Sequence, residues 1–417
     1  MNPNKTVDLD YRRLVRSGRK LPGSGEAAAV RIALLSDAAT QQFVPVLRSL
    51  FAENGFLADL YEAAFDAVEL EVIDTGSGLY AFKPDVAVLL NATQALRSRH
   101  YEHGMEPELD RIRRTWDALG ANSTCRIIQC NFALPYERPF GQFDLKVQRS
   151  LYTETRALNS QIAELARDRP NVLLCDIEAV ASYVGRRTWF DDRLWDMSKT
   201  FCNLEYLPWA AQAIVDLVLA GLGRVVKCVI LDLDNTLWGG VIGDVGPLGI
   251  QIGPHGDGEA YYRFQKYLLT LKKRGILLAV CSKNDLANAV AAFTDNPDMA
   301  LKRDDITVFV ANWENKADNI RTIRDTLEIG FDSLLFLDDN AFERNLVRKF
   351  LPEVIVPELP EDPADYVRAV SELNLFETTA FSAEDAARSA LYRQEADRRQ
   401  ARSSYTDVTE YLQSLDM

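Results

Sequence analysis

The sequence predicts an α/β protein with two parallel-sheet domains. Short apolar runs typical of buried strands alternate with amphipathic helical patterns along most of the chain. The strand-like runs of the second half are apolar on both faces, as central parallel strands are. The length, 417 residues, also suits more than one domain. Alternation of this kind implies parallel sheets covered by helices on both faces.

Changes in composition suggest the domain boundaries. Residues 1–29 include the small-residue stretch SGRKLPGSGEAAA, which is interpreted as a leader or linker. The first α/β domain is expected at 30–223 and the second at 224–378. Residues 379–417 are rich in charge and are interpreted as a C-terminal helical segment.

The elements of the first domain follow in order. Its strand candidates are VRIALLSD, VELEVIDT, DVAVLLN, CRIIQCN and NVLLCD. Helical patterns separate them, among them QQFVPVLRSLFAENG, PELDRIRRTWDAL and SLYTETRALNSQIAELARDR. The pattern LEYLPWAAQAIVDLVLAGLG is expected to be the last helix of this domain.

The second domain has four strand candidates, VVKCVIL, ILLAVC, ITVFV and SLLFL. Between the first two lie a glycine-rich flap and one amphipathic helix. This stretch is too short for a sizeable cap domain. We therefore expect an open site, which suits substrates carried on macromolecules.

Charge and cysteine usage exclude several classes of protein. The net charge is −14, which argues against nucleic acid or a membrane surface as a bulk partner. No apolar stretch is long enough to span a bilayer, and the polar start is not a signal peptide. Six cysteines without CxxC spacing are typical of reduced thiols. A soluble, cytoplasmic protein is expected.

Polar residues follow each strand of the second domain, where ligands bind in open parallel sheets. Asp232 is the candidate nucleophile for phosphoryl transfer, through an aspartyl-phosphate. Asp234 can protonate the leaving oxygen and then activate water. Lys316 supplies positive charge to the phosphoryl group and to the carboxylates. Taken singly, each motif is equally compatible with a turn or a helix N-cap, and the ordered set favours a site.

Two further groups complete the predicted site. The candidate phosphate ligands are Thr236, Ser282 and Asn284. Hard oxygen ligands suit Mg²⁺, which is the expected cofactor. The candidate metal ligands are Asp232, Asp234 through its main-chain carbonyl, Asp338 and Asp339.

The motifs LDLDNTLWGGVIGD, VCSKND and FLDDNAFER together resemble the FkbH-like branch of the haloacid dehalogenase (HAD) superfamily, subfamily IIIC. The resemblance covers nearly the whole chain. It implies an N-terminal domain similar to SGNH hydrolases, with a flavodoxin-like parallel sheet. It also implies a HAD-like Rossmannoid domain with a minimal cap.

The resemblance implies an activity. Family members load a glyceryl unit from 1,3-bisphosphoglycerate onto the phosphopantetheine arm of an acyl carrier protein, for polyketide-type biosynthesis. A cysteine carries the glyceryl group, and Cys281 is the candidate here. Side chains alternate along a strand, so Cys281 and Ser282 are expected to face opposite ways. A buried core cysteine therefore stays open as the alternative.

The N-terminal domain is expected to be inactive as a hydrolase. An SGNH enzyme carries its serine where this chain has Ala38, and its histidine where this chain has Lys199. Neither His100 nor His103 occupies that place, and both are expected on a solvated loop, while His255 is expected in the flap. The domain is interpreted as a lid, docking surface or oligomerisation module.

Two other functions remain open from the sequence. The first is a phosphatase that acts on a phosphorylated sugar or on a small phosphorylated acid, without acyl transfer. The second, of another class, is a scaffold that recruits biosynthetic partners. Replacing Asp232 by asparagine separates them, since only a scaffold would keep its biological activity.

Overall fold

The computed structural model describes residues 8–21, 30–382 and 392, and these form two compact units divided between Leu222 and Gly223. We call the described residues before this division the N-terminal unit and those after it the C-terminal unit. The predicted helical segment 379–417 lies outside the described residues except for 379–382, which are not helical, and Tyr392.

The N-terminal unit contains a five-stranded, fully parallel sheet with strand order β2-β1-β3-β4-β5. This is the flavodoxin-like order of doubly wound folds, and the predicted fold class is confirmed. The strands are β1 (Val30–Ser36), β2 (Ala58–Glu62), β3 (Val86–Leu90), β4 (Arg126–Cys130) and β5 (Val172–Cys175). The predicted strand VELEVIDT is instead helical at Val68–Ile73, and β2 lies just before it.

Eleven α-helices surround this sheet in the described part of the unit. They are α1 (Tyr11–Lys20), α2 (Phe43–Glu53), α3 (Val68–Ile73), α4 (Gly78–Phe82), α5 (Thr93–His103), α6 (Glu106–Asn122), α7 (Leu151–Ala166), α8 (Ile177–Val184), α9 (Arg186–Trp189), α10 (Asp192–Ser198) and α11 (Leu207–Gly221).

Helix α1 lies in the segment that the sequence assigned to a leader. Asp10 caps it by accepting a hydrogen bond from the main-chain N–H of Arg13. Leu14 is fully buried, and a Cβ at Gly18 would lie only 1.8 Å from the carbonyl oxygen of Pro45. The small residue thus allows α1 to pack closely against α2, and Tyr11–Lys20 belongs to the fold.

Two apolar layers stabilise the N-terminal unit, one on each face of the sheet. Alternation along β1 sends Ile32 and Leu34 to one face and Ala33 and Leu35 to the other. The first layer includes residues of α1, α2 and α11, and the second includes residues of α6 and α7. Burial of both faces explains why the strands are continuously apolar.

The C-terminal unit contains a four-stranded parallel sheet with strand order β8-β7-β6-β9. Its strands are β6 (Cys228–Leu231), β7 (Leu277–Ser282), β8 (Val308–Ala311) and β9 (Leu334–Leu337). Its α-helices are α12 (Ile242–Val245), α13 (Glu259–Lys273), α14 (Leu286–Asp295), α15 (Lys316–Leu327), α16 (Ala341–Phe350) and α17 (Tyr366–Glu372). No helix of the described residues is both long and apolar enough to cross a membrane.

The core of this unit fixes the strand ends where the predicted site lies. Val229 and Leu231 pack with α13 and α14 on one face, while Cys228 and Ile230 pack with α15 and α16 on the other. A fully buried side chain of this size contributes about 1.5–3 kcal/mol. Both faces of β6 are therefore held rigidly, and so is the residue that follows it.

Candidate active site

The carboxyl ends of the central strands bring the predicted residues together. Asp232 follows β6, Ser282 ends β7 and Asp338 follows β9. Strand β6 lies between β7 and β9, so residues far apart in sequence meet at one edge. The main-chain N–H of Asp232 also donates to the carbonyl of Leu337, 3.0 Å away, which ties the two strand ends together.

Lys316 lies at the centre of this cluster. Its Nζ is 3.0 Å from Oδ1 of Asp232 and 2.6 Å from Oδ2 of Asp338. All three side chains are nearly inaccessible to solvent. Asn315 caps α15 and so fixes the backbone from which the lysine projects.

Burial and charge act on these groups in opposite directions. Burial lowers the pKa of Lys316, but the carboxylates of Asp232 and Asp338 more than offset this and raise it above its ordinary value. Burial and the Asp232 carboxylate raise the pKa of Asp338 to about 6, although Lys316 opposes this. The lysine therefore stays charged and holds two carboxylates that would otherwise repel each other.

Three carboxylates form a candidate metal centre. Oxygens of Asp232, Asp338 and Asp339 all lie within 4.8 Å of one another. Asp234 does not join them through its side chain, which leaves its main-chain carbonyl as the group predicted to bind metal. Clustered carboxylate oxygens fit a hard divalent cation such as Mg²⁺.

The carboxylate of Asp234 points into a separate set of donors. Its Oδ1 accepts hydrogen bonds from Nε1 of Trp238, at 2.9 Å, and from the N–H of Ile242, at 3.0 Å. Its Oδ2 accepts one from Nδ2 of Asn284, at 3.0 Å. Burial and the nearby Asp232 raise its pKa, although these donors oppose that change. Asp234 is therefore oriented by the flap and by the loop after β7.

Two predicted phosphate ligands form hydrogen bonds to carboxylate residues of the site. Asn284 donates to Asp234, as described above, and Thr236 is fully buried. The hydroxyl of Thr236 accepts from the N–H of Asp339, at 3.1 Å, and lies 3.4 Å from the carboxylate of that residue. Both side chains thus help to position the two aspartates, Asp234 and Asp339. Ser282 lies at the strand end, as predicted.

Cys281, the candidate acyl carrier, lies in the apolar core of the unit and not on the surface of the site. The residue is fully buried, on the face of β7 that packs with Ala317 and Ile320 of α15. Its Sγ lies 3.7 Å from the carbonyl oxygen of Lys316, and burial raises the pKa of the thiol well above its ordinary value. The thiol is neutral because it is buried. It lies in the core because alternation along the strand turns it to the face opposite Ser282. The other five cysteines are also buried, and none of them forms a disulfide.

Sequence reasoning missed two residues of the site. Trp238 is fully buried and donates to Asp234. Arg344, also buried, donates from Nη1 to the carbonyls of Asp338, at 2.8 Å, and Asp339, at 2.7 Å. The sequence contained a signal for both residues. Trp238 lies four residues after Asp234, and Arg344 lies four residues after Asn340, so each follows a strand-end motif by about one turn.

In the N-terminal unit, Ser36 and Asp37 lie in the block where the sequence analysis expects an SGNH motif, and both make contacts within the unit. The hydroxyl of Ser36 donates to the carbonyl of Leu90, at 2.7 Å, and accepts from the N–H of Ala38. Asp37 is buried and forms an ion pair with Arg99 at 3.1 Å.

The prediction of a solvated loop for two histidines was wrong. His100 and His103 both lie in α5, and Nε2 of His100 is 2.5 Å from a carboxylate oxygen of Glu154. His255, by contrast, is exposed in the segment before α13.

Comparison with known proteins identifies the family. A family model described as FkbH, N-terminal domain, matches residues 31–219. A crystal structure of the N-terminal part of BF1531 from Bacteroides fragilis, containing a phosphatase domain complexed with Mg, is 39% identical over 89% of this chain and 100% of that one, with a TM-score of 0.82. The chain belongs to the FkbH-like family.

Two esterase structures match this FkbH-like chain over a smaller part. The acetyl xylan esterase AlAXEase is 16% identical over 45% of this chain and 100% of that one, with a TM-score of 0.35. A GDSL-like lipase from Bacteroides thetaiotaomicron is 14% identical over 50% of this chain and 98% of that one, with a TM-score of 0.32. No curated protein matches the chain.

Proposed function

We propose that this FkbH-like protein is a Mg²⁺-dependent phosphatase of the HAD type, with its active site at the carboxyl end of β6. The observation that carries this proposal is the contact of Lys316 with both Asp232 and Asp338 beside a third carboxylate. A lysine buried between two carboxylates is weak evidence for a purely stabilising role, because removing these charges from water costs free energy that their attraction can fail to recover. Such a lysine is well suited to hold a nucleophile and a phosphoryl group together.

In the proposed reaction, these side chains take the roles expected from the sequence. A carboxylate oxygen of Asp232 attacks phosphorus, and the bond from phosphorus to the leaving oxygen breaks. Asp234 gives its proton to that oxygen, then removes a proton from water, which attacks the aspartyl-phosphate and releases phosphate. The raised pKa of Asp234 suits a group that must carry a proton first. Lys316 neutralises charge on the phosphoryl oxygens.

The metal would be held by Asp232, Asp338, Asp339 and the main-chain carbonyl of Asp234. Bound there, Mg²⁺ supplies positive charge to the phosphoryl group as it is transferred. The related BF1531 structure was determined as a complex with Mg, at 39% identity to this chain. That relationship and the carboxylate cluster together support the proposal of this cofactor.

The test is phosphate release from an aryl phosphate ester, with and without Mg²⁺. Asp232→Asn removes the nucleophile, and we expect activity to fall by about 10⁴-fold or more, as when the nucleophile of a well-studied enzyme is removed. Asp325→Asn is the matched control, because it makes the same change at an exposed position of α15. Equal activity of the two variants would contradict the proposal.

A finer candidate function is glyceryl transfer from 1,3-bisphosphoglycerate to an acyl carrier protein. Family membership and the absence of a large insertion after β6 favour it: between residues 236 and 258, all of them described, the one α-helix is α12, of four residues. The pantetheine thiol would attack the acyl carbon and displace one phosphate. The remaining phosphate ester would be hydrolysed at Asp232. No cysteine of this chain is needed in that scheme.

This finer proposal has its own measurement, the intact mass of a carrier protein after incubation with the enzyme, Mg²⁺ and 1,3-bisphosphoglycerate. A glyceryl adduct without phosphate supports it. Phosphate release with an unmodified carrier protein would instead support a phosphatase without acyl transfer, whose substrate is another small phosphorylated compound. We also propose a cytoplasmic setting, since six cysteines without a disulfide suit a reducing compartment.

A further inference from the structure

An ion pair crosses the active-site edge of the sheet. Nζ of Lys283 lies 2.7 Å from Oε1 of Glu343. Lys283 belongs to the loop after β7, and Glu343 to the first turn of α16, which follows β9. Strand β6 lies between β7 and β9, so the pair joins the two loops that flank Asp232.

The backbone of Lys283 is fixed by its neighbours. Ser282 before it ends β7, and Asn284 after it donates to Asp234. Asp285 then caps α14 by accepting from two main-chain N–H groups. The lysine thus projects from a rigid loop between two residues of the site, and about a third of its side chain is exposed.

The surroundings of Glu343 are unusual for a residue that only stabilises the fold. Its side chain is largely buried, and its Oε2 has no hydrogen-bond partner among the described residues. An unpaired buried acceptor costs free energy. The carboxylate holds Lys283 through one oxygen, and an ammonium has three donors, so two remain for another group.

We infer that Lys283 binds a second anionic group of the substrate, distant from the phosphoryl group that is transferred, and that Glu343 positions it. The substrates would then be small phosphorylated acids or bisphosphates rather than phosphorylated neutral alcohols. This inference rests on the proposed function, because it adds a specificity contact to the same site.

Charge at the site supports this division of roles. Asp232, Asp338 and Asp339 are balanced by Lys316 and, as proposed, by one divalent cation. None of these groups is left to bind a second anion of the substrate. Lys283 is a further cation of this strand-end edge, and its partial exposure allows a substrate to reach it. A carboxylate or phosphate bound there would form a charge-assisted hydrogen bond.

The experiment compares two ligands that share a phosphate ester and differ in one anion. The dissociation constants of 3-phosphoglycerate and glycerol 3-phosphate are measured by calorimetry with Mg²⁺, in Asp232→Asn protein that cannot turn them over. We expect tighter binding of 3-phosphoglycerate, and Lys283→Met should reduce the ratio of the two constants by about ten-fold. Glu343→Gln should reduce the same ratio by less.

Lys349→Met is the matched control, since it makes the same change of charge at an exposed position of α16. It should leave the ratio unchanged. Equal weakening of both ligands by Lys283→Met, or an unchanged ratio, would overturn the inference. Failure of the proposed function is separate: it would appear as no phosphate release by the unsubstituted chain, while the binding ratio could still be measured.

Discussion

Lys316 shows most clearly how single residues combine stability and chemistry. Lys316→Met would leave Asp232 and Asp338 buried close together without a shared cation. We expect a loss of about 3–5 kcal/mol in the free energy of unfolding, as when a buried ion pair loses one partner. We also expect kcat to fall by about 10²–10³-fold, as for loss of one charge-stabilising donor.

These two effects of Lys316→Met can be separated. Denaturant unfolding and phosphate release are measured at several Mg²⁺ concentrations. A bound divalent cation neutralises the same carboxylates, so Mg²⁺ should restore part of the lost stability without restoring kcat. Full recovery of kcat would show that the lysine acts only as a structural charge.

Trp238 is a positioning residue for Asp234. Trp238→Phe removes the Nε1 donor while keeping a large aromatic ring. A hydrogen bond to a charged group contributes about 1.5–3 kcal/mol, so kcat should fall by roughly ten-fold or more with little change in KM. Steady-state kinetics on a phosphate ester provide the measurement.

The control for Trp238→Phe is Phe293→Leu, which alters the ring that packs edge-on against Trp238 at a centroid distance of 5.9 Å. It should lower the free energy of unfolding and leave kcat within a few fold. Equal losses of kcat in both variants would mean that packing of the flap, and not the hydrogen bond, orients Asp234.

At the scale of the element, strand β7 supplies Ser282 to the site and Cys281 to the core. Cys281→Ala removes only buried thiol contacts, and we expect it to cost about 1–2 kcal/mol of stability while phosphate release is retained. Cys228→Ala makes the same change on the same face of β6 and should behave alike. If Cys281→Ala lost phosphate release and Cys228→Ala did not, the Cys281 thiol would have a role in the reaction.

The sequence predicted the positions of the site better than the roles within it. Asp232, Lys316 and Asp338 were predictable because each comes at the end of an apolar strand or at a helix start, and parallel strands align those ends. The hydrogen bonds of Thr236 and Asn284 to residues of the site were not, because a hydroxyl or amide near a phosphate site can equally bind a neighbouring carboxylate. Only tertiary distances decide between these partners.

Helix α1 was missed for a related reason. Its sequence, YRRLVRSGRK, is highly charged and contains a glycine, so its own helix propensity is weak. The contact of Gly18 with Pro45 compensates for this by bringing two helices close together. The contact with Pro45 leaves no signal within the segment, whereas the N-cap Asp10 and the apolar pair Leu14 and Val15 were available as signals of a helix.

The molecule as a whole consists of two units with separate cores, and the proposed metal belongs to one of them. A ligand stabilises what it binds, by about 2.7 kcal/mol when its concentration is 100 times the dissociation constant. Calorimetry of the full chain should therefore show two unfolding transitions, and Mg²⁺ should raise the midpoint of one only. Asp339→Asn should reduce that shift, since one of three clustered carboxylates is lost, and leave the other transition unchanged. A single transition, raised as a whole by Mg²⁺, would mean that the two units unfold as one and that the stability of the N-terminal unit depends on the metal.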